Sequence, residues 1–150
     1  MSSGGLGGVF GIAASGMTAT RLQMDVVAEN LANADSTSGP DGKPYQRKVV
    51  ELQAASGGGF AAALDSAGSS GGGGLDGVEV TGVATDQTPG QRVYDPGNPA
   101  ADTQGYVTMP NVNPVTEMVD LVTATRSYEA NVQVMDAAKQ MYTKTLDILR

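Results

Sequence analysis

Apolar side chains recur three and four residues apart at both ends of the chain, over residues 10–31 and again over residues 118–149. Spacings that alternate between three and four place one side chain per turn on a single seam of a helix, which is the pattern of coiled coils. All seven prolines lie between Pro40 and Pro114, and most of the 21 glycines lie there as well. The pattern therefore predicts a helix at each end of the chain and a turn-rich insert between them.

The predicted fold is mainly α with a β-rich insert, and its two terminal helices pair as a coiled coil. We expect four parts, which are a flexible leader over residues 1–9, an N-terminal helix over 10–34, an insert over 35–112 with a Gly/Ser loop at 57–74, and a C-terminal helix over 113–150. Runs of β-branched residues bounded by turn signals predict strands in the insert at residues 47–53, 78–83, 91–94 and 106–109. This organisation is typical of a self-assembling subunit rather than of an enzyme.

Local signals mark the ends of the helices. Asn113 can act as the N-cap of the second helix, and Pro114 then takes the first helical position, where its missing N–H costs nothing. Asn33 can end the first helix, since Asn tolerates the left-handed conformation that follows many helices. Asn30 and Asn33 lie near the end of an otherwise apolar helix and have two interpretations. Composition favours capping of the helix end, and a polar contact across a junction is the alternative.

The chain has little material for a large core, because only 5% of its residues are aromatic and Trp is absent. Pairing the two helices would bury one side of each, and a second apolar edge that includes Val26, Val122 and Met141 would still need a partner. We therefore expect the helical seams to pack partly against neighbouring subunits. The residues assigned to this assembly interface are Met17, Met24, Val27, Leu31, Leu121, Tyr128, Val132, Met135, Tyr142, Leu146 and Leu149.

Charge and residue usage exclude several classes of function. The net charge is −7, and residues 51–110 hold most of it, with seven acidic residues and one basic residue. The chain therefore has no basic patch for nucleic acid. It also has no Cys and no His, which removes disulfides, thiolate metal sites and the commonest general base. No apolar run is long enough to span a membrane. The first basic residue, Arg21, follows the N-terminal apolar stretch, so we expect no cleaved signal peptide.

Two arrangements could carry chemistry, and each has a simpler interpretation. Residues 11–18 have the glycine spacing of a phosphate-binding loop, but Met17 stands in place of its lysine and no strand precedes them. Asp86, Asp95 and Asp102 could form an acid pair or a hard-metal site. Their spacing matches no calcium loop, and the neighbouring Pro and Gly residues indicate Asp side chains that form turns. We therefore expect no catalytic residue, no cofactor and no metal.

The segment Val27–Thr37, with the sequence VAENLANADST, resembles the signature of the flagellar basal-body rod proteins. Asn30, Leu31, Ala32 and Asn33 carry this resemblance. Further motifs are similar to those of the proximal rod proteins within that family, and they follow in the same order at residues 39–45, 94–99, 105–112, 127–132 and 144–146.

The resemblance implies a structural subunit of the proximal rod of the bacterial flagellar basal body. In this family the terminal helices form an inner coiled-coil domain, and copies stack into a hollow rod that transmits torque and passes exported proteins. The resemblance further implies export by the flagellar type III apparatus, contacts with other rod proteins and with the rod–export-gate adaptor, and a place for Asn30 and Asn33 at the helix-to-insert junction. Neither nucleic-acid binding nor membrane insertion is expected. The alternative is a stand-alone soluble coiled-coil interaction protein, and an enzyme is the third class.

Overall fold

A computed structural model of the chain describes residues 4–39, 42–55 and 77–148. Its elements in chain order are α1 (Gly4–Ala32), β1 (Lys48–Ala54), β2 (Val78–Thr85), β3 (Arg92–Tyr94), β4 (Tyr106–Thr108) and α2 (Pro114–Ile148). The order of one helix, a small strand region and a second helix agrees with the prediction. Residues 1–3 of the predicted leader, residues 40 and 41 of one motif, the predicted Gly/Ser loop and Leu149 lie outside the described residues.

Helix α1 begins at Gly4, inside the segment that the sequence assigned to a flexible leader. Glycine disfavours a helix by about 1 kcal/mol relative to Ala, but this local preference is weak and tertiary context often overrides it. Residues 11–18, with their phosphate-loop spacing, are helical throughout. Val26 and Val27 are both buried. Val26 therefore lies on the covered side of the helix and not on the uncovered edge that was predicted.

Helix α2 begins where the sequence predicts. The side-chain oxygen of Asn113 accepts hydrogen bonds from the backbone N–H groups of Val115 at 3.0 Å and Thr116 at 3.4 Å. Pro114 is the first helical residue, and the N–H of Glu117 donates to the Asn113 carbonyl at 3.0 Å. The cap satisfies donors that the helix leaves unpaired at its start, and it fixes the orientation of the first turn.

The four strands form two small sheets, with β1 beside β2 and β3 beside β4. The β1–β2 pair is antiparallel, since Ala55 donates to the Gly77 carbonyl at one end and Asp86 donates to the Arg47 carbonyl at the other, both at 2.8 Å. The β3–β4 pair is antiparallel as well, and its Val107 is buried. Two-stranded sheets are marginally stable alone in water, so both depend on contacts with the rest of the chain.

The chain divides into two compact units, one made of residues 1–21, 52–81 and 125–150 and the other of residues 22–51 and 82–124. In the first unit, α1 approaches α2 closely at Gly16, where an added Cβ would lie 2.9 Å from the side-chain nitrogen of Asn131. In the second unit, the largest fully buried side chains among the described residues include the polar Asn30 and Glu117. The packing of the second unit is therefore partly polar. No helix in the described ranges is both long and apolar enough to cross a membrane.

The covered side of α2 is a row of residues three and four apart that lies close to the predicted seam without coinciding with it. Leu121, Tyr128 and Met135 are half-buried members of the predicted seam, while Ala124 and Ala138 are fully buried members of the row that the seam left out. The distance between packed helices depends on the side chains at their contact. Apolar periodicity gave more weight to large residues than to the small ones that sit at the covered positions.

Candidate functional site

A group of polar side chains in the second unit joins α1, β1 and the start of α2, and we call it the polar junction. Its centre is Asn30, which is only 1% exposed. The Asn30 amide nitrogen donates to the Lys48 carbonyl at 2.8 Å and to Glu117 Oε2 at 3.0 Å. Its amide oxygen accepts from the Lys48 N–H and from the Tyr45 hydroxyl, both at 2.9 Å. One side chain thus pairs with both backbone groups of Lys48, as a neighbouring strand would. The polar junction consists of Asn30, Tyr45, Arg47, Lys48, Asn111 and Glu117.

Glu117 is the charged centre of the polar junction, and its side chain has no exposed area. Arg47 Nε donates to Glu117 Oε1 at 2.5 Å, and Arg47 also reaches the half-buried Asp120 at 3.2 Å. Burying a carboxylate is costly unless it is paired and hydrogen-bonded. Because Arg47 and Asn30 each bond one oxygen of Glu117, both oxygens of this buried group have a donor.

Asn111 connects the end of the insert to the two long strands. Its amide oxygen accepts from the Arg47 N–H at 2.7 Å, and its amide nitrogen donates to the Asp86 carbonyl at 3.1 Å. The chain therefore enters β1 and leaves β2 against the same side chain, three residues before the helix start at Pro114. This arrangement fixes where α2 begins relative to the hairpin in the second unit.

Charge reinforces the polar junction. The hydrogen bond to Glu117 raises the pKa of Arg47 above its ordinary value, and the hydrogen bond to Glu29 does the same for the pKa of Lys48. Burial, followed by the nearby Glu29 charge, raises the pKa of Tyr45, so its phenol keeps the proton that it donates. Raised pKa values of basic groups favour folding at neutral pH, and this contribution disappears only as pH rises through the folded-state values.

Asn33 bonds the end of α1, as a capping residue does, whereas Asn30 of the same motif lies in the polar junction. The Asn33 amide donates to the Glu29 carbonyl at 2.9 Å, and Ser36 donates to the Asn33 side-chain oxygen at 3.2 Å. Among the described residues only Gly42 and Gly105 have positive φ angles, so the left-handed conformation expected of Asn33 is wrong. The Glu29 carbonyl thus accepts from both the backbone N–H of Asn33, at 3.1 Å, and its side chain, and no backbone reversal follows α1.

The three candidate acidic residues of the insert form turns, as the sequence predicted. Asp86 accepts from the Thr88 N–H at 2.9 Å, Asp102 accepts from the N–H groups of Gln104 and Tyr106, and Asp95 accepts from the N–H two residues on. The side-chain and backbone donors of Thr88 lower the pKa of Asp86, and the Tyr106 N–H is the main cause that lowers the pKa of Asp102. In the described ranges, no three acidic side chains are grouped closely enough to hold a metal ion.

The structure places the predicted interface residues at different degrees of exposure. On α1, Val27 is buried and the other three are half-buried. On α2, the predicted residues from Leu121 to Met135 are half-buried, whereas Tyr142 and Leu146 are 50% and 49% exposed. Burial of these residues between subunits remains a prediction, and the single chain leaves the far end of α2 uncovered.

Sequence reasoning missed most of the polar junction. A negative charge in the first turn of a helix suits the helix dipole, which gives Glu117 a role without a partner. However, Glu117 lies one turn before Leu121 on the covered side of α2. An acidic residue in line with buried positions is a signal of a buried ion pair, because such a charge needs a partner. Arg47 and Asn111 carry no comparable pattern, since their partners are 70 and 64 residues away in the chain.

Comparison with known proteins covers almost the whole chain. A family described as "Flagella basal body rod protein" matches residues 10–40, and one described as "Flagellar basal body rod FlgEFG protein C-terminal" matches residues 103–148. The flagellar basal-body rod protein FlgC of Escherichia coli O6:H1 is 46% identical over 140 residues, which are 93% of this chain and 95% of that protein. The chain belongs to the FlgC family of flagellar basal-body rod proteins.

FlgC proteins of other bacteria also match over nearly the whole chain. The FlgC protein of Bacillus subtilis strain 168 is 47% identical over 91% of this chain and 93% of its own length. The FlgC protein of Borreliella burgdorferi is 36% identical over 97% of this chain and 99% of its own length. The polar junction lies across both matched family regions, since Asn30 falls in the first and Asn111 and Glu117 fall in the second. The motif that carried the resemblance is therefore part of the site that the fold assembles.

Proposed function

We propose that this chain is a non-enzymatic structural subunit of the proximal rod in the flagellar basal body. The observation that carries the proposal is the near full-length similarity to FlgC rod proteins, at 42–47% identity over more than nine-tenths of the chain for six of them with different sources. The stand-alone coiled-coil protein considered above has no such support. The mechanical role then rests on how the chain holds its terminal helices.

The polar junction suits a part that transmits torque. It ties α1, β1 and the start of α2 through hydrogen bonds and a buried ion pair, and buried polar networks of this kind specify one arrangement when every member is satisfied. No buried side-chain nitrogen or oxygen among the described residues lacks a partner. A rotating rod needs subunits that do not change their internal arrangement under load, and a satisfied network resists such a change.

The terminal helices pair as the inner coiled-coil domain of the rod, and the predicted seams form the interface between copies. Two contacts support helix pairing, namely Gly16 with Asn131 in the first unit and Asn30 with Glu117 in the second. Tyr142 and Leu146 support packing between copies, because burying the half of each side chain that is still exposed gains about 1 kcal/mol. The acidic insert over residues 35–112 lies outside the tube, where its charge stays in water.

The proposed location is the basal body, reached through the flagellar type III apparatus without cleavage of a signal peptide. The proposed neighbours are further copies of this chain, the other rod proteins and the adaptor between rod and export gate. Copies that join head to tail through unlike surfaces form an open helical array rather than a closed dimer. Such an array is hollow when the helices line its centre, which would let exported proteins pass.

Deletion of the gene in the source organism tests the proposal. The expected result is loss of motility with no rods or hooks, restored by the wild-type chain, together with detection of the chain by mass spectrometry in detergent-extracted, acid-treated basal bodies. A deletion strain with unchanged motility, and a chain found only in the soluble fraction, would return the stand-alone interaction protein to first place.

A further inference from the structure

The first turns of α2 carry an uncovered apolar stripe, which consists of Val115, Met118, Val119 and Val122. These residues are spaced three and four apart, so they lie on one face of the helix. Each is between 53% and 70% exposed, while Glu117 one position away is fully buried. The stripe exposes on the order of 400 Å² of apolar surface, which is the size of a functional patch on a typical protein. It lies outside the polar junction. Met118 begins the predicted periodic series of α2, and Val122 belongs to the second apolar edge that was expected to need a partner.

The same unit contains an open groove of about 430 Å³ between α1 and β2. Its apolar lining is formed by Leu22, Val26 and Val83. A cavity of about 150 Å³ is large enough to hold benzene, so this groove has room for two or three side chains of the size of Val or Met. Asp25 lies at the groove and is exposed. The groove thus offers an apolar surface beside the negative charge of Asp25, and the Lys48–Glu29 ion pair and Thr85 complete its lining.

We propose that the stripe of one copy of this chain occupies the groove of a second copy, an inference that rests on the proposed rod function. The chain offers an apolar ridge and, elsewhere on the same unit, an apolar groove, so every bound copy leaves one of each unfilled. Ridge and groove are different surfaces, so a contact made head to tail propagates from copy to copy, whereas a reciprocal contact about a two-fold axis would close into a dimer. A rod requires the head-to-tail contact. An unrelated partner would account for one of the two surfaces, whereas a second copy accounts for both.

Charge complementarity supports the same occupant. Arg126 lies one helical turn beyond Val122, on the line of the stripe, and it is exposed. Neither Arg126 nor Asp25 has an ion-pair partner among the residues that the structure describes. A stripe seated in the groove brings the positive end of one copy toward the negative charge beside the groove of the next.

The size of the stripe explains why the contact belongs to an assembly. Stable pairs of proteins bury roughly 800 Å² per partner, and the stripe is about half as large. A single contact of this kind gives a weak association in solution. It becomes persistent when a helical array holds each copy through several contacts at once.

Cross-linking between introduced cysteines tests the inference cleanly, because the natural chain has no cysteine. Leu22→Cys and Met118→Cys are combined in the full-length chain, expressed as the sole copy, and isolated basal bodies are treated with a short bismaleimide. The expected result is a ladder of dimers and larger multimers of this chain, and no dimer from Met118→Cys alone. Thr116→Cys with Leu22→Cys is the matched control, since Thr116 is exposed but lies off the stripe, and we expect at least a fivefold lower yield.

Three results would overturn the inference while leaving the rod function in place. They are dimers from Met118→Cys alone without a ladder, cross-links only to other proteins, and no cross-link in basal bodies that contain the double variant. Failure of the rod function itself looks different, because the wild-type chain would then be missing from basal bodies altogether.

If the cysteine variants fail to assemble, exchanging the two charges tests whether the stripe of one copy meets the groove of the next. Asp25→Arg and Arg126→Asp are each expected to reduce swarming, with an effect on association of about two- to fivefold for a partly exposed ion pair. The double variant restores the attraction with the signs reversed, so swarming should recover. A double variant no better than the worse single variant would show that these charges do not meet.

Discussion

Two buried polar side chains set the behaviour of this protein at the scale of single residues. Asn30 makes four hydrogen bonds, and both oxygens of Glu117 have donors. Removing one partner from such a network leaves buried groups without hydrogen bonds, and the desolvation cost is then no longer offset. Single substitutions at these positions should therefore lower the free energy of unfolding by more than the few atoms that they remove would suggest.

Asn30→Ala should lower the free energy of unfolding by about 2–4 kcal/mol, because it leaves the backbone of Lys48 and the Tyr45 hydroxyl without partners. Asn33→Ala is the control from the same motif. It removes the side-chain hydrogen bonds with the Glu29 carbonyl and with Ser36. Because that carbonyl keeps the Asn33 backbone N–H as a donor, the substitution should cost less than about 1 kcal/mol. Urea unfolding of the purified chains measures both, and equal effects would contradict the central place of Asn30.

Arg47→Met should destabilise the chain by about 3 kcal/mol, because it leaves the buried Glu117 charge without its ion-pair partner. Adding Glu117→Gln removes that charge and should recover part of the loss. A double-mutant cycle on urea unfolding measures the coupling between the two side chains. If the two substitutions change the free energy of unfolding additively, Arg47 and Glu117 have no stabilising interaction with each other.

At the scale of elements, contacts within the β3–β4 hairpin stabilise it more than local contacts stabilise the rest of the insert. The rings of Tyr94 and Tyr106 pack edge to face with centroids 5.3 Å apart, and the Arg92 guanidinium lies over Tyr106 and pairs with Asp102. Asp102 also accepts two backbone hydrogen bonds inside the connecting loop. Asp102 and Gly105, which has a φ of 82°, thus organise the end of the loop beside β4, and Asp95 accepts from the Gly97 N–H at its start.

The hairpin should loosen in acid, because the Tyr106 N–H and then the Gln104 N–H lower the pKa of Asp102 from 3.8. A lowered pKa stabilises the fold above the unfolded value, and this contribution is lost as pH falls through the folded-state pKa. NMR titration should show the Tyr106 and Gln104 amide shifts changing together below pH 3.8, with no such change in Asp102→Asn. A midpoint at or above 3.8 would contradict the assignment.

Gly105→Ala should destabilise the hairpin by about 1–2 kcal/mol, since L-residues are strained at positive φ. The added Cβ would also lie 2.9 Å from the Tyr94 ring. Gly97→Ala is the matched control in the same loop, because its φ is not in the left-handed region and the nearest atom is 3.6 Å away. Hydrogen exchange of the Tyr106 amide compares the two variants. Equal protection would show that Gly105 is not required.

At the scale of the whole molecule, the described part of the chain buries few large apolar side chains and exposes many. The described side chains of the first unit that are buried and apolar are Ala13, Ala19 and Ala138. Val134, Met141, Tyr142 and Leu146 in the same unit are about half exposed. If copies assemble as proposed, we expect assembly to stabilise the chain further, because it binds only the folded form.

Leu146→Asp should block rod assembly while leaving the isolated chain folded, because Leu146 is already 49% exposed in the single chain and an unpaired charge is costly only once it is buried. Circular dichroism of the purified variant should match the wild type, and swarming should be lost. Gln140→Asp introduces the same charge at an exposed polar position on another face of α2 and should swarm normally. A motile Leu146→Asp strain would remove this residue from the interface.

The sequence by itself determined the terminal helices, the cap at Asn113, the turn-forming role of the acidic residues in the insert and the rod family. These features depend on residues that are near one another in the chain, such as Asn113 and Val115, so periodicity and turn chemistry reveal them. The short strands were placed within two residues of their observed ends for the same reason. The motif around Asn30 identified the family without indicating what Asn30 contacts.

Only the tertiary structure decided which face of α2 is covered and how Asn30 acts. The covered row uses Ala124 and Ala138 because a close approach of packed elements selects small side chains, and apolar periodicity is insensitive to them. Asn30 belongs to the polar junction, and not to a cap, because Lys48 and Glu117 reach it from 18 and 87 residues away. Such contacts are set by the global packing of the chain, and no local pattern records them.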